Sequence, residues 1–130
     1  MIQSYVTDTM AIVSYLGKRK LPASVKSIFQ STDLGFVHII VPAIVLVEVG
    51  YLSEKGRIDI GIKDVLKHIT NFPAYTNQAL TFEIVVESYK ITDIPELHDR
   101  LIGATAKYLN VELITNDPLI QASAFVRTIW

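Results

Sequence analysis

Four acidic residues stand where carboxylates can do chemistry: Asp8, Glu48, Asp99 and Asp117. Asp8 directly follows the apolar run 2–7, and Asp117 follows the run 111–115 and precedes Pro118. Each reads equally well as a helix N-cap and as an acid at the carboxyl end of a strand. Glu48 lies inside an apolar stripe. If 42–54 is helical, its neighbours three and four positions away are Ile44, Val45, Tyr51 and Leu52, with no Lys or Arg among them. Asp99 repeats the pattern: Ile102, Ala106 and Leu109 continue its face, while Arg100 points elsewhere on the helix. A buried carboxylate without a cationic partner is costly. Carboxylates gathered in one crevice repel each other and hold on to protons, and a divalent cation is the simplest remedy. An all-oxygen ligand set selects hard ions such as Mg²⁺ or Mn²⁺. Such a site suits phosphodiester hydrolysis, with water attacking in line and the leaving oxygen stabilised.

The acids must be positioned by elements, and short β-branched runs alternate with helical patterns along the chain. Strands are expected at 2–7, 36–41, 111–115 and 126–129. Helices are expected at 9–17, 22–34, 42–56, 61–71, 81–90, 94–109 and 118–122, several of them stopped by Gly17, Gly35 or Gly56. The long helix 94–109 is expected to be entered through a capping box formed by Asp93 and Glu96. Alternating strands and helices mean right-handed crossovers, a central parallel sheet and a three-layer α/β/α sandwich. In such sheets the ligand crevice lies beyond the carboxyl ends of the strands, where Asp8 and Asp117 are expected.

Composition bounds the rest. The 130 residues are 50% hydrophobic and 19% charged, enough apolar material for a core and consistent with one domain over 1–130. Twelve Lys and Arg against thirteen Asp and Glu leave a net charge of −1, which excludes a histone-like nucleic-acid coat but not a nuclease. The absence of cysteine excludes disulfides, thiolate zinc sites and cysteine nucleophiles, and points to the cytoplasm. Asp8 interrupts any signal peptide, and the apolar stretch 36–52 is broken by His38, Pro42, Glu48 and Gly50, so no membrane span is expected.

Four segments, taken in order, resemble a known family. These are Val6-Thr7-Asp8-Thr9 leading into a helix, Pro42-Ala43 five residues before Glu48, the block from Leu97-His98-Asp99-Arg100 to Ala106, and Leu113-Ile114-Thr115-Asn116-Asp117. Together they resemble a PIN domain, and within that family the VapC-type ribonuclease toxins of prokaryotic toxin–antitoxin pairs. The resemblance runs from Tyr5 to the last strand and is most specific around Asp99. It implies a metal-dependent endoribonuclease with Asp8, Glu48, Asp99 and Asp117 as metal-binding acids. It implies Thr115 as a supporting hydroxyl, RNA as substrate and an antitoxin protein as partner. One departure is present: Met10 stands where the family usually has Asn, and no further acid closely follows Asp117.

Other residues carry less. His98, beside Asp99, is expected off the acid face as a helix-surface residue, and His38 as a hydrogen-bonded strand residue. Lys18, Arg19 and Lys20 are expected as a solvated helix end, with RNA backbone contact the alternative. A PIN-like scaffold that binds RNA or protein without turnover is the competing function, and Met10 is the feature that favours it. An Asp-nucleophile phosphatase is discounted, because its second Asp would fall at Met10. Met10, Val13, Leu16, Val25, Ile28 and Phe29, with Ile44 and Tyr51, offer more apolar positions than one sheet face covers. They suggest a homodimer with an apolar groove for a partner's amphipathic helix.

Overall fold

The computed structural model describes residues 2–130. Among them, β1 (Ser4–Thr7), α1 (Thr9–Leu16), α2 (Ala23–Asp33), β2 (His38–Pro42), α3 (Ala43–Glu54) and α4 (Ile62–Asn71) come first. They are followed by β3 (Tyr75–Gln78), α5 (Phe82–Ser88), α6 (Leu97–Leu109), β4 (Glu112–Ile114), α7 (Pro118–Gln121) and β5 (Thr128–Ile129). The sheet has the order β3-β2-β1-β4-β5 with every pair parallel. Crossovers from β1 to β2 and from β2 to β3 move one way, and those from β3 to β4 and from β4 to β5 move the other. Right-handed connections therefore put α1–α4 on one face and α5–α7 on the opposite face. The connections leaving β1 and β4, which are paired neighbours, diverge. The carboxyl ends of those two strands form the topological switch point where such sheets bind ligands.

The central strands are buried because both faces are covered. Val6, Ile39, Leu113 and Ile114 are fully buried, and Ile12, Val45, Val49 and Ile102 pack on them from the helices. Gly103 lets α6 approach closely, since a Cβ there would lie 3.1 Å from Val126 Cγ2. Under α1, α2 and α4 lies a polar knot. Asp33 accepts hydrogen bonds from the Tyr15 hydroxyl (2.5 Å) and the Tyr75 hydroxyl (2.8 Å) and pairs with His68 Nε2 at 2.9 Å.

Several expectations need correction. Strand β3 has no signal in the sequence, because of its four residues only Tyr75 is buried. Asp93 belongs to no capping box. It accepts hydrogen bonds from Ser123 Oγ and Ala124 N, while Glu96 alone caps α6 by accepting from Asp99 N at 2.7 Å. Pro95 explains the later start, because the residue before a proline is driven out of the helical region. Of the apolar positions expected to face a partner, Val13, Val25 and Phe29 are buried in the chain's own core, whereas Met10 and Tyr51 are exposed. The apolar surface lies largely elsewhere, with Phe82 and Val86 on α5, Tyr89 just after it and Tyr108 on α6. His38 bonds Ser4 Oγ at 3.2 Å and Thr76 Oγ1 at 2.7 Å, as a strand histidine should. No helix among the described residues is long and apolar enough to cross a membrane.

Candidate active site

Asp8 follows β1 and caps α1, its Oδ1 accepting from Ala11 N at 2.8 Å. Asp117 follows β4 and caps α7, its Oδ1 accepting from Leu119 N and Ile120 N. Both cap readings are therefore correct, and in neither case does the cap remove the acid from the crevice. Asp8 and Asp117 line one cavity of about 500 Å³ together with Glu48 from α3 and Asp99 from the first turn of α6. Thr9, Met10, Leu52, Ile102, Asn116 and Pro118 complete its wall. All four acids thus reach the switch point from different elements. Thr115 is fully buried just behind, with Oγ1 accepting from Asp117 N at 3.1 Å and so shaping the turn that carries Asp117.

Glu48 has no Lys or Arg partner among the described residues. Its Oε1 accepts a 2.6 Å hydrogen bond from the Thr9 hydroxyl, and its Oε2 lies 3.3 Å from His98 Nδ1, which also stands 3.6 Å from Glu96. His98 is an exposed residue at the start of α6, as expected of a helix-surface histidine, yet it reaches Glu48. Of the neighbours His98 and Asp99 in the first turn of α6, Asp99 lines the cavity and His98 touches it only through Glu48. The role of Thr9 is equally hard to see in the sequence, where its only signal is adjacency to Asp8. Arg100 turns away, its Nε donating to Ile94 O at 2.9 Å.

Electrostatics follow from this crowding. Burial pushes Asp8 up to about 6, and the charges of Asp117 and Glu48 add to it, while the Thr115 hydroxyl and the Ala11 N–H pull the other way. Asp99 is also raised to about 6, first by burial and then by Glu96, Asp117, Glu48 and Asp8. Among the described residues no three acidic or imidazole side chains stand close enough to hold one ion. The donor set nevertheless fits a hard divalent cation: it is all carboxylate, includes two acids that burial disfavours as anions, and surrounds a cavity.

A family model of the PIN domain matches residues 5–125. The chain belongs to the PIN domain family. Members of this family are nucleases that generally use divalent metal ions. The fold of this PIN domain is shared by solved structures of low sequence identity. VapBC2 from Rickettsia felis, bound to a DNA fragment from its promoter, superposes with a TM-score of 0.73 at 18% identity, over 98% of this chain and 99% of that one. FitAcB from Neisseria gonorrhoeae gives 0.66 at 19% identity, over 97% and 96%. VapC20 from Mycobacterium tuberculosis, a sarcin–ricin loop cleaving toxin, gives 0.65 at 13% identity, over 94% and 96%. No curated protein sequence matches the chain.

Proposed function

We propose that this PIN domain is a Mg²⁺- or Mn²⁺-dependent endoribonuclease, the toxin of a toxin–antitoxin pair. The observation that carries this reading is the convergence of Asp8, Glu48, Asp99 and Asp117, from four elements, on one cavity at the switch point. Asp8, Glu48, Asp99 and Asp117 would hold the metal. A bound divalent ion supplies charge neutralisation for an attacked phosphodiester and makes a water acidic enough to attack it. The chain's own residues do the positioning. The Ala11 N–H holds Oδ1 of Asp8. Thr9 orients Glu48, and Thr115 shapes the Asp117 turn. RNA as substrate draws support from the toxin VapC20, whose fold is similar, and an antitoxin partner from the toxin–antitoxin complexes of the same fold. Exposed Val47 and Tyr51, one turn apart on α3, together with Met10 at the cavity edge, offer an amphipathic helix of such a partner an apolar landing. The apolar face of α5 and Tyr108 support a homodimer, which light scattering of the purified chain tests.

The decisive experiment incubates the purified protein with RNA and Mg²⁺ or Mn²⁺. Cleavage is expected, lost alike on adding EDTA and on the substitution Asp99→Asn, while circular dichroism of the variant stays unchanged. Wild-type cleavage rates in the variant, or cleavage that persists in EDTA, defeat the reading. The second reading, an RNA- or protein-binding module without turnover, rests on Met10, which lines the cavity. Binding of RNA without any cleavage under these conditions favours it.

A further inference from the structure

A second cavity, of about 460 Å³, opens at the far end of α1. Lys18, Arg19 and Lys26 line it together with Tyr15, Asp33 and His68. The three long cations are exposed, and among the described residues none of them has a salt-bridge partner. The one carboxylate present, Asp33, is already occupied by the Tyr15 and Tyr75 hydroxyls and by His68 Nε2. Three cations against this one carboxylate leave the pocket with an excess of positive charge.

A solvated helix end accounts for part of this arrangement only. Lys18 and Arg19 follow the carboxyl end of α1, where the helix dipole favours cations. Lys26 sits at the opposite kind of terminus, in the opening turns of α2, where the dipole repels it. That end of α2 has no side-chain cap and no acid in its first turn, so it too awaits negative charge. Lys18 adopts left-handed backbone at φ 55°, where glycine would be at ease, so a lysine is kept at a conformational cost.

The helix α1, buried at Ala11, Ile12 and Val13, separates this pocket from the acidic one. Asp8, Thr9 and Met10 line the cavity at its amino end, and Tyr15, Leu16 and Lys18 line the cavity at its carboxyl end. Its eight residues separate them by about 12 Å at 1.5 Å per residue. We infer that the Lys18–Arg19–Lys26 pocket is a phosphate subsite that holds a backbone phosphate of the RNA strand whose scissile bond lies in the acidic cavity. Cations tracking the backbone beside a catalytic crevice supply affinity and register without reading bases. This inference rests on the ribonuclease reading, and its test is chosen to be separable from it.

The test measures binding in EDTA, where no cleavage is needed, by fluorescence anisotropy of a single-stranded oligouridylate. The double variant Arg19→Glu/Lys26→Glu is compared with the control Lys90→Glu/Arg127→Glu, which changes net charge equally on other parts of the surface. The pocket variant is expected to bind at least tenfold more weakly and to show a flatter salt dependence, by about 0.7 in slope for each phosphate that is no longer neutralised. The control is expected to stay within about threefold of wild type on the same counterion argument. In cleavage assays the pocket variant should raise KM with kcat little changed. Equal weakening by both variants, no weakening by the pocket variant, or no RNA binding by the wild type overturns the subsite. Normal wild-type binding without any cleavage in Mg²⁺ instead sinks the nuclease reading and leaves the subsite standing. An inorganic phosphate titration followed by NMR separates the sources: shifts at Arg19 and Lys26 with oligouridylate but not with free phosphate mark a strand-held group.

Discussion

The hydroxyl of Thr9 donates to Oε1 of Glu48 at 2.6 Å, joining residues 39 positions apart and fastening the start of α1 to the middle of α3. Glu48 is half-buried, and this bond together with His98 takes the place of the salt bridge it lacks. The oxygen that would face a metal is thereby aimed rather than left to rotate. A hydrogen bond to a charged group contributes about 1.5–3 kcal/mol.

Thr9→Val should therefore lower cleavage by tenfold or more and cost about 1–2 kcal/mol of stability. Thr9→Ser, which keeps the donor, should restore most of the activity. Steady-state cleavage rates and thermal melts of the pair check this. A valine variant as active as wild type would show that Glu48 needs no anchor.

Stability should depend on pH and metal in a definite direction. Asp8 and Asp99 are raised from 3.8 to about 6, so between those values the folded chain holds protons that the unfolded chain has released. The slope of stability with pH is then negative, and the metal-free protein loses stability as pH rises from about 4 to 6 and levels off above. Mg²⁺ should act oppositely, stabilising most above pH 7, where Asp8 and Asp99 have released their protons. Melting temperatures in EDTA and in Mg²⁺ at pH 5 and 7.5 test both. A metal-free melting temperature that rises over this range through these acids would contradict the crowding described.

Met10 lines the acidic cavity and is partly exposed. The family resemblance implies Asn at this position, and a polar amide there can hold a water or a ligand oxygen where a thioether cannot. Met10→Asn should raise cleavage several-fold with little change in fold. A drop in activity would mean that the thioether packs against substrate instead.

Lys18→Gly should have opposite effects on stability and binding. Relief of the left-handed backbone should add about 0.5–1 kcal/mol after the entropy of glycine is counted. Loss of the ammonium should at the same time weaken RNA binding. Chemical denaturation and anisotropy, run on one preparation, read out the two effects. A variant that loses stability would remove the argument that strain holds the lysine in place.

What the sequence disclosed divides along physical lines. The strand carrying Ile39, Ile40 and Val41 was legible because burial on both faces demands an unbroken apolar run. Strand β3 was not, since it lies at the sheet's edge and only Tyr75 turns inward. The four acids stood out because each breaks an apolar pattern or follows a strand. The contact of His98 with Glu48 escaped because the two lie on different helices, and no local spacing brings them together. Asp33 escaped for the same reason: its partners Tyr15, His68 and Tyr75 lie 18, 35 and 42 positions away.

The two strand-end acids share a habit with an evolutionary consequence. Asp8 and Asp117 each use Oδ1 to cap a helix, and the caps need only an oxygen, not a charge. Asparagine at either position would keep the helix start and the turn while removing one of the anions that the proposed function assigns to the metal. Catalysis in this architecture is thus separable from folding at the level of one functional group. A lineage released from the need for nuclease activity would lose the proposed reaction there by a change of a few atoms, and still inherit a well-folded domain with its surfaces intact.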